Sequence, residues 1–152
     1  MDTFKVTNSS EMSQVVFIGV HIRRGDMTTP YSHKRGCIEA SPQYLSNAVT
    51  YFQEIIGKER ILFVVVSDDM KWSKPNFDPK GSHLVFSPYH DWPAHDLAIL
   101  ASCNHTLMTV GSFGWWGAYL AGGRQSIIKI FPRQEHTYQG FLINWTIFTT
   151  HG

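Results

Sequence analysis

A chain of 152 residues fits one compact domain at about 150 residues per domain. Hydrophobic residues make up 43% and charged residues 16%, which excludes a disordered chain, whose mark is low hydrophobicity with high charge. A net charge of +1 and a pI near 7.9 argue against a nucleic-acid partner held by bulk charge, and the longest unbroken aliphatic or aromatic run, Ile61 to Val66, is far short of a membrane span.

Residues 1–14 are polar and have no apolar stretch of the signal-peptide kind, so a flexible leading segment is expected. Val15 to Ile22 (VVFIGVHI) is a near-continuous β-branched run, the pattern of a strand buried on both faces. A polar loop runs from Arg23 to about Glu39. Ser41-Pro42 then supplies an N-cap and a first helical residue. Behind it Leu45, Ala48, Val49, Phe52, Ile55 and Ile56 recur at helical spacing, with Gly57 as the stop. Ile61 to Val66 reads as a second buried strand and Ser67-Asp68-Asp69 as the cap of a short helix. Leu84 to Ser87 is a short strand, Ala94 to Cys103 a helix, Thr106 to Val110 a strand, Phe113 to Ala121 a helix with Ser112 as its N-cap, and Ser126 to Phe131 a last strand. Strands of continuous hydrophobicity alternating with helices predict a parallel α/β sheet covered on both faces. Such sheets bind ligands beyond the carboxyl ends of their strands, where the strand order switches.

The chemistry-bearing residues cluster at those ends. His21, Arg23, Arg24 and Asp26 leave the first strand together. Arginine carries a permanent charge on a planar fork that suits phosphate oxygens, and one guanidinium is expected to face an anion while the other pairs with Asp26. Gly111-Ser112-Phe113 lies between a strand and a helix, where main-chain N–H groups point at an incoming anion. Asp68-Asp69 is read as a helix cap rather than a metal or base site, since no D-x-D exists in the chain. The eight histidines show no metal-like spacing, so no metal is expected. Asp96 is either a helix-dipole partner or a polar ligand contact. Cys37 and Cys103 are expected to be free buried thiols, and three N-x-S/T triplets, at Asn8, Asn104 and Asn144, lean toward the secretory pathway.

The strings IGVHIRRGDM (18–27), FVVVSDDMKWSK (63–74) and DLAILASCNHTLMTVGSFGWWGAYLAGG (96–123), in this order, resemble the α-1,2-fucosyltransferases, glycosyltransferase family 11. The resemblance runs from about Val15 to Phe131. It implies a Rossmann-like domain over residues 15–152, similar to the C-terminal, donor-binding domain of a GT-B-like transferase. It further implies transfer of L-fucose from GDP-fucose to the 2-hydroxyl of a terminal galactose, inverting and metal-independent, on the lumenal side of the Golgi membrane. Arg23, Arg24 and Asp26 are then the expected catalytic set, with His21, Arg23, Arg24, Asp96, Ser112 and Phe113 around the donor. Asp26 and Glu39 are the candidates for proton acceptor. Family members usually carry an anchor, a stem and an N-terminal domain before the HxRRxD strand, so these, and with them the acceptor side, are expected to be missing here. Ser73 stands where a cysteine commonly follows the tryptophan, and the tail after Phe131 departs from the family. Two other readings stand beside this one: a catalytically silent GDP-binding paralogue or gene fragment, and a carbohydrate-binding module using its tryptophans, although Trp72, Trp115 and Trp116 are better placed for core packing.

Overall fold

The computed structural model describes residues 15–37, 39–88, 92–121, 127–129 and 144–145; the expected flexible segment 1–14 lies outside them. The first β-branched run forms β1 (Val16–Ile22), and its burial from Ile18 onward confirms a strand covered on both sides. A 3-10 turn (Gly25–Thr28) and the short helix α1 (Pro30–Lys34) follow, α1 starting where Thr29 accepts a hydrogen bond from the Ser32 N–H. Helix α2 (Pro42–Ile56) begins as its sequence predicts. Ser41 Oγ accepts from Tyr44 N at 3.1 Å, and Gly57 ends the helix at a φ of 99°, a conformation that favours glycine. Leu45, Ala48, Val49 and Phe52 form its buried stripe, whereas Ile55 falls outside it and is exposed.

Strand β2 (Ile61–Ser67) comes after a 3-10 turn at Lys58–Arg60, and helix α3 (Met70–Asn76) is capped by Asp69, whose carboxylate accepts from Trp72 N at 3.0 Å. Strand β3 (His83–Phe86), helix α4 (Pro93–Ala101), strand β4 (His105–Met108) and helix α5 (Ser112–Leu120) continue the alternation, each starting a residue or so before its predicted position. Strand β5 (Ile127–Lys129) lies within the predicted last strand, and β6 (Asn144–Trp145) is an addition too short to signal itself in sequence.

The sheet order is β3-β2-β1-β4-β5-β6, parallel through β5, with β6 antiparallel at the end. Successive strand residues face opposite sides of a sheet, and here the two sides take different helices. Ile18, Val20 and Ile22 pack with Ile61, Phe63 and Val65 against α2 and Phe77. Gly19 and His21 face the other way. A side chain at Gly19 would meet Leu100 and Cys103 within 3.1–3.3 Å, and one at Gly114 would meet His21, so α4 and α5 lie close on that side. Helices therefore cover both faces. Chain order runs outward from β1 to β3 and then crosses back to β4, which puts the switch in strand order between β1 and β4.

The cysteines do not behave alike. No disulfide joins them, and only Cys103 is buried, whereas Cys37 is exposed because it follows α1 in the surface loop. No helix among the described residues is long and apolar enough to cross a membrane.

Candidate functional site

Three residues beyond β1, Arg23, Arg24 and Asp26, and Asp68 beyond β2 carry the charge. Arg23 is fixed at its backbone first: its N–H donates to Thr109 Oγ1 at 2.9 Å, just past the end of β4. Its guanidinium then donates through Nη1 to Asp68 Oδ2 and through Nη2 to Asp26 Oδ1, both at 2.7 Å. Asp68 Oδ1 also accepts the main-chain N–H of Arg24 at 2.9 Å. The base of this arrangement is polar and buried. Ser67 Oγ donates to the Ile22 carbonyl at 2.8 Å and accepts from Asp69 N, while Ser73 Oγ donates to it at 2.9 Å. The ends of β1, β2 and β4 are thus tied together by side chains where the ladders stop.

Arg24 takes the opposite course from its neighbour. Its guanidinium carbon lies 3.7 Å from the centre of the Trp72 ring, its Nε is 3.6 Å from Asp69 Oδ2, and its side chain is only 14% exposed. A desolvated cation over an indole face is a favourable pair, and it directs this guanidinium onto α3.

His21 ends β1 on the α5 side, 5% exposed, with its ring 5.2 Å from that of Phe113. Burial is the main cause that pushes its pKa down to about 4; Asp68 opposes the shift and Arg23 adds to it. The ring is therefore neutral at pH 7, and Nδ1 has no hydrogen-bond partner among the described residues. Glycine is required opposite it, because a Cβ at Gly114 would stand 2.6 Å from Nδ1.

Helix α5 starts one residue earlier than expected. Gly111, not Ser112, is the N-cap, at a φ of 91°, and no side chain caps the helix. Ser112 is the first helical residue, and Gly111 offers no side chain to accept from the first N–H groups of the helix. Asp96, in the first turn of α4, is 7% exposed and accepts from Ser87 Oγ at 2.9 Å.

These pieces enclose one cleft of about 450 Å³ at the β1–β4 switch. His21, Arg23, Asp26, Asp96, Ser112 and Phe113 line it, so six of the eight candidate residues in the sequence meet there. Arg24 is not among the lining residues. Glu39 is not either: its Oε2 lies 2.7 Å from His33 Nε2. Burial opposes ionisation of Glu39, but hydrogen bonds from its own backbone and from His33 outweigh that and hold its carboxyl below the ordinary value. Asp68, read from sequence as part of a cap, lines the cleft and holds Arg23, while capping falls to Asp69 alone. Its role is not visible locally, since its partners stand more than forty positions away. Of the tryptophans, Trp72 packs against the core and Trp115 against Met108 and Ala118, but Trp116 is 50% exposed, contrary to expectation. Among the described residues no three His, Cys, Asp or Glu side chains converge as metal ligands.

An open, mainly parallel sheet with an arginine-bearing cleft at its switch point is a Rossmann-like domain of the glycosyltransferase kind. The profile described as Glycosyl transferase family 11 matches residues 5–149, and the chain belongs to that family. It is 41% identical over 152 aligned residues to galactoside alpha-(1,2)-fucosyltransferase 2 of Pongo pygmaeus, covering 91% of this chain and 42% of the relative. Galactoside alpha-(1,2)-fucosyltransferase 1 of Oryctolagus cuniculus is 41% identical over 109 residues, 70% of this chain and 29% of the relative. The Sus scrofa protein of the same name is 39% identical over 142 residues, 85% and 37% respectively. The chain spans less than half the length of these relatives.

Proposed function

We propose that this domain binds the nucleoside diphosphate of GDP-fucose in the cleft and serves transfer of L-fucose to the 2-hydroxyl of a terminal galactose on a glycan. The observation that carries the reading is Arg23, pinned at its main chain by Thr109 and at its guanidinium by two carboxylates, at the mouth of a cleft that also receives the uncapped start of α5. The names of the relatives supply the sugar and the linkage.

As the bond from fucose to GDP breaks, negative charge grows on the departing diphosphate. A fixed guanidinium and oriented N–H groups stabilise that charge without having to reorganise. In this reading Arg23 and the Ser112 end of α5 take the phosphates, Asp96 meets the base, and neutral His21 with Phe113 forms the apolar wall. Asp26 accepts the proton of the attacking hydroxyl, which approaches from the face opposite the leaving group and inverts the anomeric centre. Arginine supplies the charge that a divalent metal supplies in D-x-D transferases, so the reading includes metal independence. A lumenal Golgi setting belongs to the reading through the resemblance to the α-1,2-fucosyltransferases.

Calorimetric titration of GDP, with and without magnesium, tests the site directly. Binding is expected in both conditions. Arg23→Ala is expected to weaken it by about a hundredfold, because charge-assisted bonds to phosphate are lost. The melting temperature should hardly move, since partly exposed ion pairs contribute little. Unfolding of the variant would make Arg23 structural, and no GDP binding by the wild-type chain would leave the silent-fragment reading.

A further inference from the structure

The two carboxylates on Arg23 lie at the same distance but are held very differently. Asp68 uses both oxygens, one on Arg23 Nη1 and one on the Arg24 N–H, and its side chain is 27% exposed. Gly25 crowds it so closely that a Cβ there would sit 2.5 Å from Asp68 Oδ2. Asp26 makes one side-chain bond among the described residues, to Nη2, and its side chain is 61% exposed. Arg23 is the one Lys or Arg side chain among the described residues lining the cleft; it pairs with Asp26 and Asp68, and Asp96 lines the same cleft. A diphosphate that takes this guanidinium meets like charge on arrival. The carboxylate that gives way is the one with a single exposed bond, because water compensates its loss.

We propose that Asp26 is a stand-in for the diphosphate, displaced from Arg23 when the donor binds, while Asp68 is a positioning residue that keeps the guanidinium aimed into the cleft throughout. The inference rests on the donor-site reading above. It sets an order of events. Asp26 becomes free to take a proton only once the donor is in place. In the transfer step the acceptor oxygen bonds to the anomeric carbon, and the bond from that carbon to the β-phosphate oxygen breaks with its electron pair left on GDP. The hydroxyl proton passes to Asp26. Acceptor activation therefore waits on the donor.

GDP titration of the wild-type chain, Asp26→Asn and Asp68→Asn, with a melting curve for each, separates the two roles by sign. Asp26→Asn is expected to bind GDP about two- to fivefold tighter, because an exposed competing pair has been removed. Asp68→Asn is expected to bind at least about tenfold more weakly with the guanidinium released. If Asp68→Asn does not fold, Asp68→Glu replaces it and is expected to weaken binding as well, since it keeps the charge and moves the carboxylate. Weakening by both variants overturns the displacement, and an unchanged Asp26→Asn does the same. Tightening by both overturns the positioning role of Asp68 and leaves two merely repulsive charges. Failure of the wild-type chain to bind GDP overturns the donor-site reading itself.

Discussion

At position 21 the imidazole pays for its place with its proton. Its folded-state pKa, about 4, lies below the ordinary 6.5, so the unfolded chain binds protons more readily between these values. Stability is then full above about pH 6.5 and falls as pH drops toward 4, by on the order of 3 kcal/mol for a shift of this size. Urea denaturation at pH 7.5 and at pH 4.5 should show this loss in the wild-type chain and much less of it in His21→Gln. Glu39 titrates in the same direction but in a lower window, below its ordinary 4.5, so the two contributions separate along the pH axis. The cysteines offer a second check at this scale. Burial raises the Cys103 thiol to about 11, while Cys37 is exposed. A thiolate-specific reagent at pH 8 should label one cysteine in the folded protein and two after denaturation. Neighbouring arginines show where residue-level reading reached its limit. The H-x-R-R-x-D string suggests one arginine for an anion and the other for Asp26, yet Arg23 takes both places and Arg24 lies on Trp72, a division that depends on what α3 places beside them.

Elements were legible where their pattern is self-contained. The Ser41 cap, the Gly57 stop and the α2 stripe from Leu45 to Phe52 need nothing from the rest of the chain and match the structure, whereas Ile55 continues the spacing but lies exposed. The start of α5 was misread by one residue because Ser112 is a good cap by type, and only the backbone at Gly111 shows that the cap has no side chain. The glycines within α5 likewise explain themselves only through packing. A Cβ at Gly117 would stand 2.7 Å from Leu100 Cβ, an atom fixed by the α4 backbone, so α4 and α5 approach too closely for any other residue. Gly117→Ala should therefore destabilise the fold by about 1–3 kcal/mol despite the better helix propensity of alanine. Urea unfolding with an unchanged m-value would register it.

For the whole molecule, the parallel α/β class and the place of the cleft followed from continuous strands and polar strand ends, since burial on both faces requires that pattern. Asp68 did not follow, because the clamp on Arg23 is made by two strand ends that only the sheet brings together. A ligand that uses this junction binds the folded state alone and stabilises all of it. GDP at about a hundredfold over its dissociation constant should add about 2.7 kcal/mol and raise the melting temperature by roughly 5–10 °C. Differential scanning fluorimetry reads this, and Arg23→Ala should show no such rise at the same concentration.

The strand order also has a history in time. β1 lies between β2, which begins at Ile61, and β4, which begins at His105. On a ribosome adding about 5–20 residues per second, the second neighbour emerges roughly 2–9 s after the first. Through that interval one edge of β1 has its hydrogen-bonding groups open, and the Arg23 N–H lacks Thr109. A nascent chain that has not yet reached Thr109 already carries both arginines and the groups that hold their guanidiniums, but not the hydroxyl that fixes the first of them at its main chain.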